Sequence, residues 1–239
     1  MMTLKFAGVF VATALFGCSC NAVELLTNGD FETGTLSGWV TGSQVGSAGP
    51  YGIEVPGTPT IDSAQATATN PSGGSFYAAS DAYFDPGSNV LAQTFTISSA
   101  PGAVFLNFQM FVNDSSGSAI TNASSLDYTG VPNQHTRVDI LTGTAGLFDT
   151  GATVLSTLFI GADTGGIPNP YTSYNFDITS TVSTPGTYTL RFASISNQDA
   201  LITGVDNVSI DVVPEPSSAV FLLCGPVLLL LKRPSRWKS

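Results

Sequence analysis

Through the middle of the chain, apolar and polar residues alternate with a period of two, the pattern of strands that bury one face. The clearest run is AVFLNFQMFVN, residues 103–113. In it Val104, Leu106, Phe108, Met110 and Val112 share one face, expected to be core, while Phe105, Asn107, Gln109 and Phe111 share the other. NVLAQTFTI, HTRVDIL, TVLSTLFI, YTSYNFDI, GTYTLRFASI and LITGVDNVSIDV follow the same logic and predict further strands. In HTRVDIL, Val138 and Ile140 point one way. His135, Arg137 and Asp139 point the other, onto a face expected to lie at the surface. DPGS, SAPG and STPG supply turns between the runs. Residues 42–74, rich in Gly, Pro, Ser and Thr, read as loops with short strands. No repeat of fixed period is present, which excludes solenoids and propellers. The expectation is one all-β domain, a jelly-roll-like β-sandwich.

Both termini break this pattern. At the front, Lys5 precedes the apolar run FAGVFVATALFG and then CSCNA, the layout of a secretory signal peptide cleaved after Ala22. Lipoprotein processing at Cys18, within LFGC, is the alternative. At the back, residues 217–231 form a short apolar run. As a helix rising about 1.5 Å per residue it would span about 22 Å of a roughly 30 Å hydrocarbon layer. Lys232, Arg233, Arg236 and Lys238 follow it and are expected to stay cytoplasmic. Pro214, Glu215 and Pro216 precede it, and the two prolines keep the backbone extended and open to a protease. The organisation expected is an N-terminal signal helix over 1–22, a β-sandwich ectodomain over 23–213, and a C-terminal segment over 214–239 with a transmembrane helix.

Charge narrows the function. Five of the seven basic residues lie in the terminal segments, and between residues 21 and 213 sixteen Asp and Glu face only Arg137 and Arg191, a net charge of −14. Such a body repels phosphate backbones and anionic lipid, which excludes nucleic acid as a partner, and it suits divalent cations or neutral glycans. Cys18, Cys20 and Cys224 all sit in the terminal segments, so the body folds without a disulfide. His135 is the sole histidine, which leaves no zinc site of the usual kind and no supported hydrolase triad. The chain is therefore expected not to be an enzyme.

Pro-Glu-Pro, an apolar segment and a basic tail, in that order, closely resemble the PEP-CTERM sorting signal of Gram-negative bacteria. The resemblance implies a processing partner, an exosortase in the inner membrane. It also implies transient anchoring there through the C-terminal helix, then display at the cell surface or in an exopolysaccharide-containing extracellular matrix. An ordinary single-pass anchor is the plainer alternative. At the start of the body, Asn28, Gly29, Asp30, Phe31, Glu32, Gly38 and Trp39, within a first strand ELLTNGDFETGTLSGW, resemble the opening of galactose-binding-like jelly rolls. GVDNVSID resembles their final strand. That group includes carbohydrate-binding modules, and the resemblance implies a structural calcium held by Glu32 and Asp206 with help from Asp30 and backbone carbonyls.

Glycan binding calls for aromatic platforms beside hydrogen-bonding side chains. Trp39, Tyr51 and Phe105 are candidates, but Asn107, Gln109, Phe111 and Tyr171 are the preferred set. Trp39 is expected to be buried. Two functions remain open: a module that binds exopolysaccharide or another glycan, and a structural surface protein that assembles with copies of itself.

Overall fold

In the computed structural model, which describes residues 22–55, 73–82, 85–115, 122–161 and 168–214, the alternating runs become strands. Eleven are found among these residues: β1 Val23–Glu24, β2 Val40–Ser43, β3 Gly52–Glu54, β4 Tyr77–Ala82, β5 Gly87–Ile97, β6 Pro101–Asp114, β7 Gln134–Thr142, β8 Val154–Gly161, β9 Thr172–Asp177, β10 Gly186–Ser196 and β11 Leu201–Pro214. They form two antiparallel sheets. Sheet I runs β3-β4-β11-β6-β9, with β1 added against β11; sheet II runs β2-β5-β10-β7-β8. The chain passes from one sheet to the other at most of its connections, which gives a sandwich with jelly-roll-like winding. Residues 22–215 form one compact unit. The expected signal helix and transmembrane helix lie outside the described residues. Among the described residues no helix is long and apolar enough to cross a membrane.

The predicted core face of β6 is the core. Val104, Leu106, Phe108, Met110 and Val112 are buried against Val138, Ile140, Leu190, Phe192, Val205 and Ile210. Phe108 stacks on Tyr174 with ring centroids 4.9 Å apart and meets Phe192 edge-on at 5.2 Å. Trp39 is buried as expected. It packs on Phe31 at 5.4 Å and donates from Nε1 to the Asn28 carbonyl at 3.0 Å. Such pairing lets a large ring be buried with its polar atom satisfied.

Two sequence expectations need correction. ELLTNGDFETGTLSGW is not one strand, because pairing stops after Glu24 and a turn-rich loop follows. Asn28 (φ 53°), Phe31 (φ 56°) and Gly38 (φ 88°) adopt left-handed backbone, which turns the chain away from an extended path. The Asn28 amide holds the loop closed by donating to the carbonyls of Thr35 (2.8 Å) and Ser37 (3.1 Å). In addition, β4 (YAASDA) forms a strand that the pattern did not announce. Every residue in it is buried, so there is no polar alternation to read.

Candidate functional site

The loop after β1 and the middle of β11 are tied together, since Val208 donates its N–H to the Gly29 carbonyl at 2.8 Å. This brings Asp30, Glu32 and Asp206 into one neighbourhood. Asp206 is 1% exposed. One carboxylate oxygen accepts the Asn207 N–H at 2.7 Å, while Oδ2 is buried with no hydrogen-bond partner. Burial foremost, then the charges of Glu32 and Asp30, push the Asp206 carboxyl up to about 7, against the opposing pull of the Asn207 N–H. Glu32 has a separate structural task, because its Oε1 accepts the N–H groups of Ser75 (2.7 Å) and Phe76 (2.9 Å) and so fixes the entry to β4. Among the described residues no group of three or more His, Cys, Asp or Glu side chains is arranged to hold a metal ion. A cation here would therefore take part of its shell from backbone carbonyls, which calcium accepts readily.

The outer face of sheet I carries the four residues expected to bind a ligand, and the structure divides them. Asn107 and Gln109 are half-buried members of a cross-strand polar ladder. Asn107 donates to Ser209 and Asp211 (3.2 Å each) and accepts from Asn175, and Gln109 accepts from Asn207 at 2.9 Å. Phe111 does not share their exposure. It is 2% exposed and meets Tyr77 and Tyr171 edge-on at 5.9 and 5.0 Å. Gly204 beneath it makes this burial possible, since a Cβ there would stand 2.0 Å from the Phe111 ring. Phe111 and Tyr171 are thus packed in a small aromatic cluster with Ala79 and Ile202. Tyr51 is also buried.

The outer face of sheet II departs furthest from expectation. His135, Arg137 and Asp139 do share the face opposite Val138 and Ile140, as the period requires, yet that face is not at the surface. His135, Asp139 and Arg191 are 0% exposed and Arg137 is 4% exposed. Two loops, 122–133 and 143–153, cover them, with Leu126, Tyr128, Leu147 and Phe148 packed on Val90, Ala193 and Ile195. Asp139 binds both arginines, Arg137 at 2.7 Å and Arg191 at 2.5 Å. Each guanidinium then reaches outward to a loop. Arg137 Nη1 donates to the Ala123 carbonyl (3.0 Å), and Arg191 Nη1 donates to the carbonyls of Leu147 and Asp149 (2.8 Å each). The reading of His135 as a surface residue is therefore corrected: it is buried, and neither ring nitrogen has a hydrogen-bond partner. With no contact to solvent it is not positioned to act on a substrate.

Phe111 also lines a cleft of about 260 Å³ where the edges of the two sheets face each other, whose other aromatic residues sequence reasoning missed. Phe159 of β8 and Tyr174 of β9 meet there edge-on at 5.4 Å, beside Met110, Pro170 and Thr172. TLFI and YTSYNFDI were read as strands, but nothing local in either run says that their edges will be neighbours.

No family model matches the chain, and no curated protein matches it. Solved structures do. One is a carbohydrate-binding module in complex with β-1,4-galactotriose (11% identity, covering 79% of this chain and 97% of that one, TM-score 0.47). Another is the K3 cleaved adhesin domain of Lys-gingipain from Porphyromonas gingivalis (18% identity, 80% and 98% covered, TM-score 0.48). A third is a Stig cyclase from Fischerella sp. TAU in complex with an indole compound (15% identity, 82% and 100% covered, TM-score 0.46). They differ in what they do, so no function passes from them to this chain.

Proposed function

We propose that this chain is an exported, non-catalytic protein of a Gram-negative bacterium, displayed at the cell surface or in the extracellular matrix, whose sandwich binds a neutral glycan. The observation that supports glycan binding is the distribution of charge. Both cationic side chains of the body, Arg137 and Arg191, are buried and committed to Asp139, so all exposed side-chain charge among the described residues is negative. A polyanion meets only repulsion on this surface, whereas a neutral, hydroxyl-rich polymer meets none. The test is affinity electrophoresis of the 22–215 unit through gels containing hydroxyethylcellulose, galactan, xylan or mannan, with alginate as the anionic control. Retardation by a neutral polymer but not by alginate is expected. Free migration of the folded unit through all of them would overturn the reading.

Sorting rests on the tail. Pro214, the last residue of β11, is exposed at the end of sheet I; Glu215, Pro216, Lys232 and Arg233 lie outside the described residues. An exosortase-type enzyme would read Pro214 to Pro216 while the apolar segment holds the chain in the inner membrane. Replacing those three residues by Ala is expected to leave an unprocessed, membrane-retained species on immunoblots of host fractions. Normal processing of that variant would remove the sorting assignment.

The environment of Asp206 suits a structural calcium. A buried carboxylate oxygen without a partner fits a hard cation, which Asp206 would hold with backbone carbonyls while the charges of Glu32 and Asp30 add attraction. Its charge would neutralise the acids and pin the first loop to the last strand. Calcium at about a hundred times its Kd should raise the melting temperature of the 22–215 unit by roughly 5–10 °C. Asp206→Asn should abolish that rise. Glu32→Ala should lower stability with or without calcium, because its bonds to Ser75 and Phe76 need no metal. An equal calcium-dependent rise in Asp206→Asn would place the ion elsewhere.

Self-assembly is favoured by one feature, the edge strand β8, on which Leu155 (42%) and Ile160 (36%) are exposed. Like charge on every copy opposes it. Analytical ultracentrifugation with and without calcium separates the two readings, since a dimer or polymer that ignores every glycan would support assembly.

A further inference from the structure

We infer that the cleft between β8 and β9 is the site at which this sandwich takes a sugar ring, one or two neutral residues of a polysaccharide chain. This rests on the glycan reading above and assigns it to a place that is not the amide ladder of sheet I. That ladder is flat, and its amides are engaged with one another and with Ser209 and Asp211, so a ligand there would compete with bonds already made.

The cleft offers what the ladder lacks. Phe159 and Tyr174 are both half-buried and stand nearly perpendicular, at 73°, which makes an aromatic corner. Tyr174 is held in place by stacking on Phe108 at 4.9 Å, so its ring is set before any ligand arrives. Sugar C–H faces pack on such rings, while hydroxyls need polar atoms close by. The Thr172 hydroxyl supplies one, together with the outer edges of β8 and β9, each of which pairs on one side only among the described strands. At about 260 Å³ the space is below the roughly 300–1,000 Å³ of drug-sized pockets and accommodates a short stretch of chain.

The lining also sets the class of ligand. No Asp, Glu, Lys, Arg or His is among the described residues around the cleft, and the exposed charges of the described residues elsewhere are all acidic. An anion would be repelled by those charges and would find no counter-charge inside. A purely apolar ligand would leave the Thr172 hydroxyl and the strand edges without partners. A neutral, amphipathic ring satisfies both conditions. A second cleft of about 210 Å³, between Pro86 and Asp199, fails the same comparison. It is lined by acids and amides, including Asp85 and Gln198, with no aromatic ring.

The experiment repeats the gel series with Tyr174→Ala, Thr172→Arg and Asn107→Ala. Thr172 is exposed, so the arginine blocks the cleft without removing any core contact, and thermal melting checks that each variant is folded. Tyr174→Ala and Thr172→Arg should weaken retention by the neutral polymer about tenfold, with Asn107→Ala unchanged. If Thr172→Arg is folded and retained like the parent, the cleft is not the site, although the glycan reading survives. If the parent itself is retained by no polymer, the glycan reading falls and the cleft assignment with it.

Discussion

Replacing Asp139 by Ala is expected to remove about 3–5 kcal/mol of folding stability, a large part of the roughly 5–15 kcal/mol that a domain possesses. Asp139 is completely buried. It accepts from Arg137 (Nε at 2.8 Å, Nη2 at 2.7 Å), from Arg191 (Nε at 3.1 Å, Nη2 at 2.5 Å) and from the Thr157 hydroxyl at 2.7 Å. Without it, two guanidinium groups remain buried beside each other with no counter-charge. The damage should spread to loops 122–133 and 143–153, because the same guanidinium groups hold the carbonyls of Ala123, Leu147 and Asp149. Urea denaturation of the 22–215 unit measures the loss, and hydrogen exchange should report faster opening in both loops. Arg191→Met combined with Asp139→Ala should cost less than the two single changes added together, since each already breaks the same network. A loss below about 1 kcal/mol for Asp139→Ala, the range of exposed pairs, would mean that solvent reaches these charges.

Between pH 6.5 and about 4, His135 is expected to withdraw roughly 3 kcal/mol of stability, one unit of pKa shift being worth about 1.4 kcal/mol. Burial is the main cause and the neighbouring Arg137 charge adds to it. Together they outweigh the attraction of Asp139 and lower the His135 pKa from 6.5 to about 4. The unfolded chain therefore binds a proton before the folded chain does. The contribution is complete above pH 6.5 and is lost as pH falls toward 4. Asp206 works in the opposite direction in calcium-free protein: its raised pKa favours the folded, protonated form, so its effect on stability improves as pH falls from about 7. Comparing the parent with His135→Leu cancels the Asp206 contribution. The variant should match or exceed the parent at pH 7, since neither ring nitrogen has a bond to lose, and should hold its relative stability down to pH 4. A constant difference between the two proteins across that range would show that His135 is already accessible to protons in the folded state.

The candidate sites were legible to different degrees. NGDFE and GVDNVSID mark the two segments that bring Glu32 and Asp206 together, because their residue types resemble a known pair of chain ends. The carboxylate oxygen left without a partner is visible only once β11 is buried. Of the aromatic cleft the sequence marked only Phe111, which lines it. Phe159 and Tyr174 each read as ordinary strand residues, and their meeting depends on β8 and β9 ending up at the same side of two different sheets. The Asp139 network did leave a signal, since the only two basic residues of the body both fall inside strands, in HTRVDIL and GTYTLRFASI.

The sequence alone determined that the body is all-β, that Val104, Leu106, Phe108, Met110 and Val112 face its core, and that no excess of positive charge is available to attract a polyanion. Period-two alternation and composition are local properties, and they survive any arrangement of the strands. Tertiary structure decided what lies above each outer face. Alternation separates the two sides of a strand but carries no information about a loop arriving from elsewhere in the chain. For that reason Asn107 stayed half-exposed, while Phe111, on the same face, was buried. For the same reason the polar side of β7 became an interior, with one carboxylate, two arginines and a neutral histidine beneath two loops.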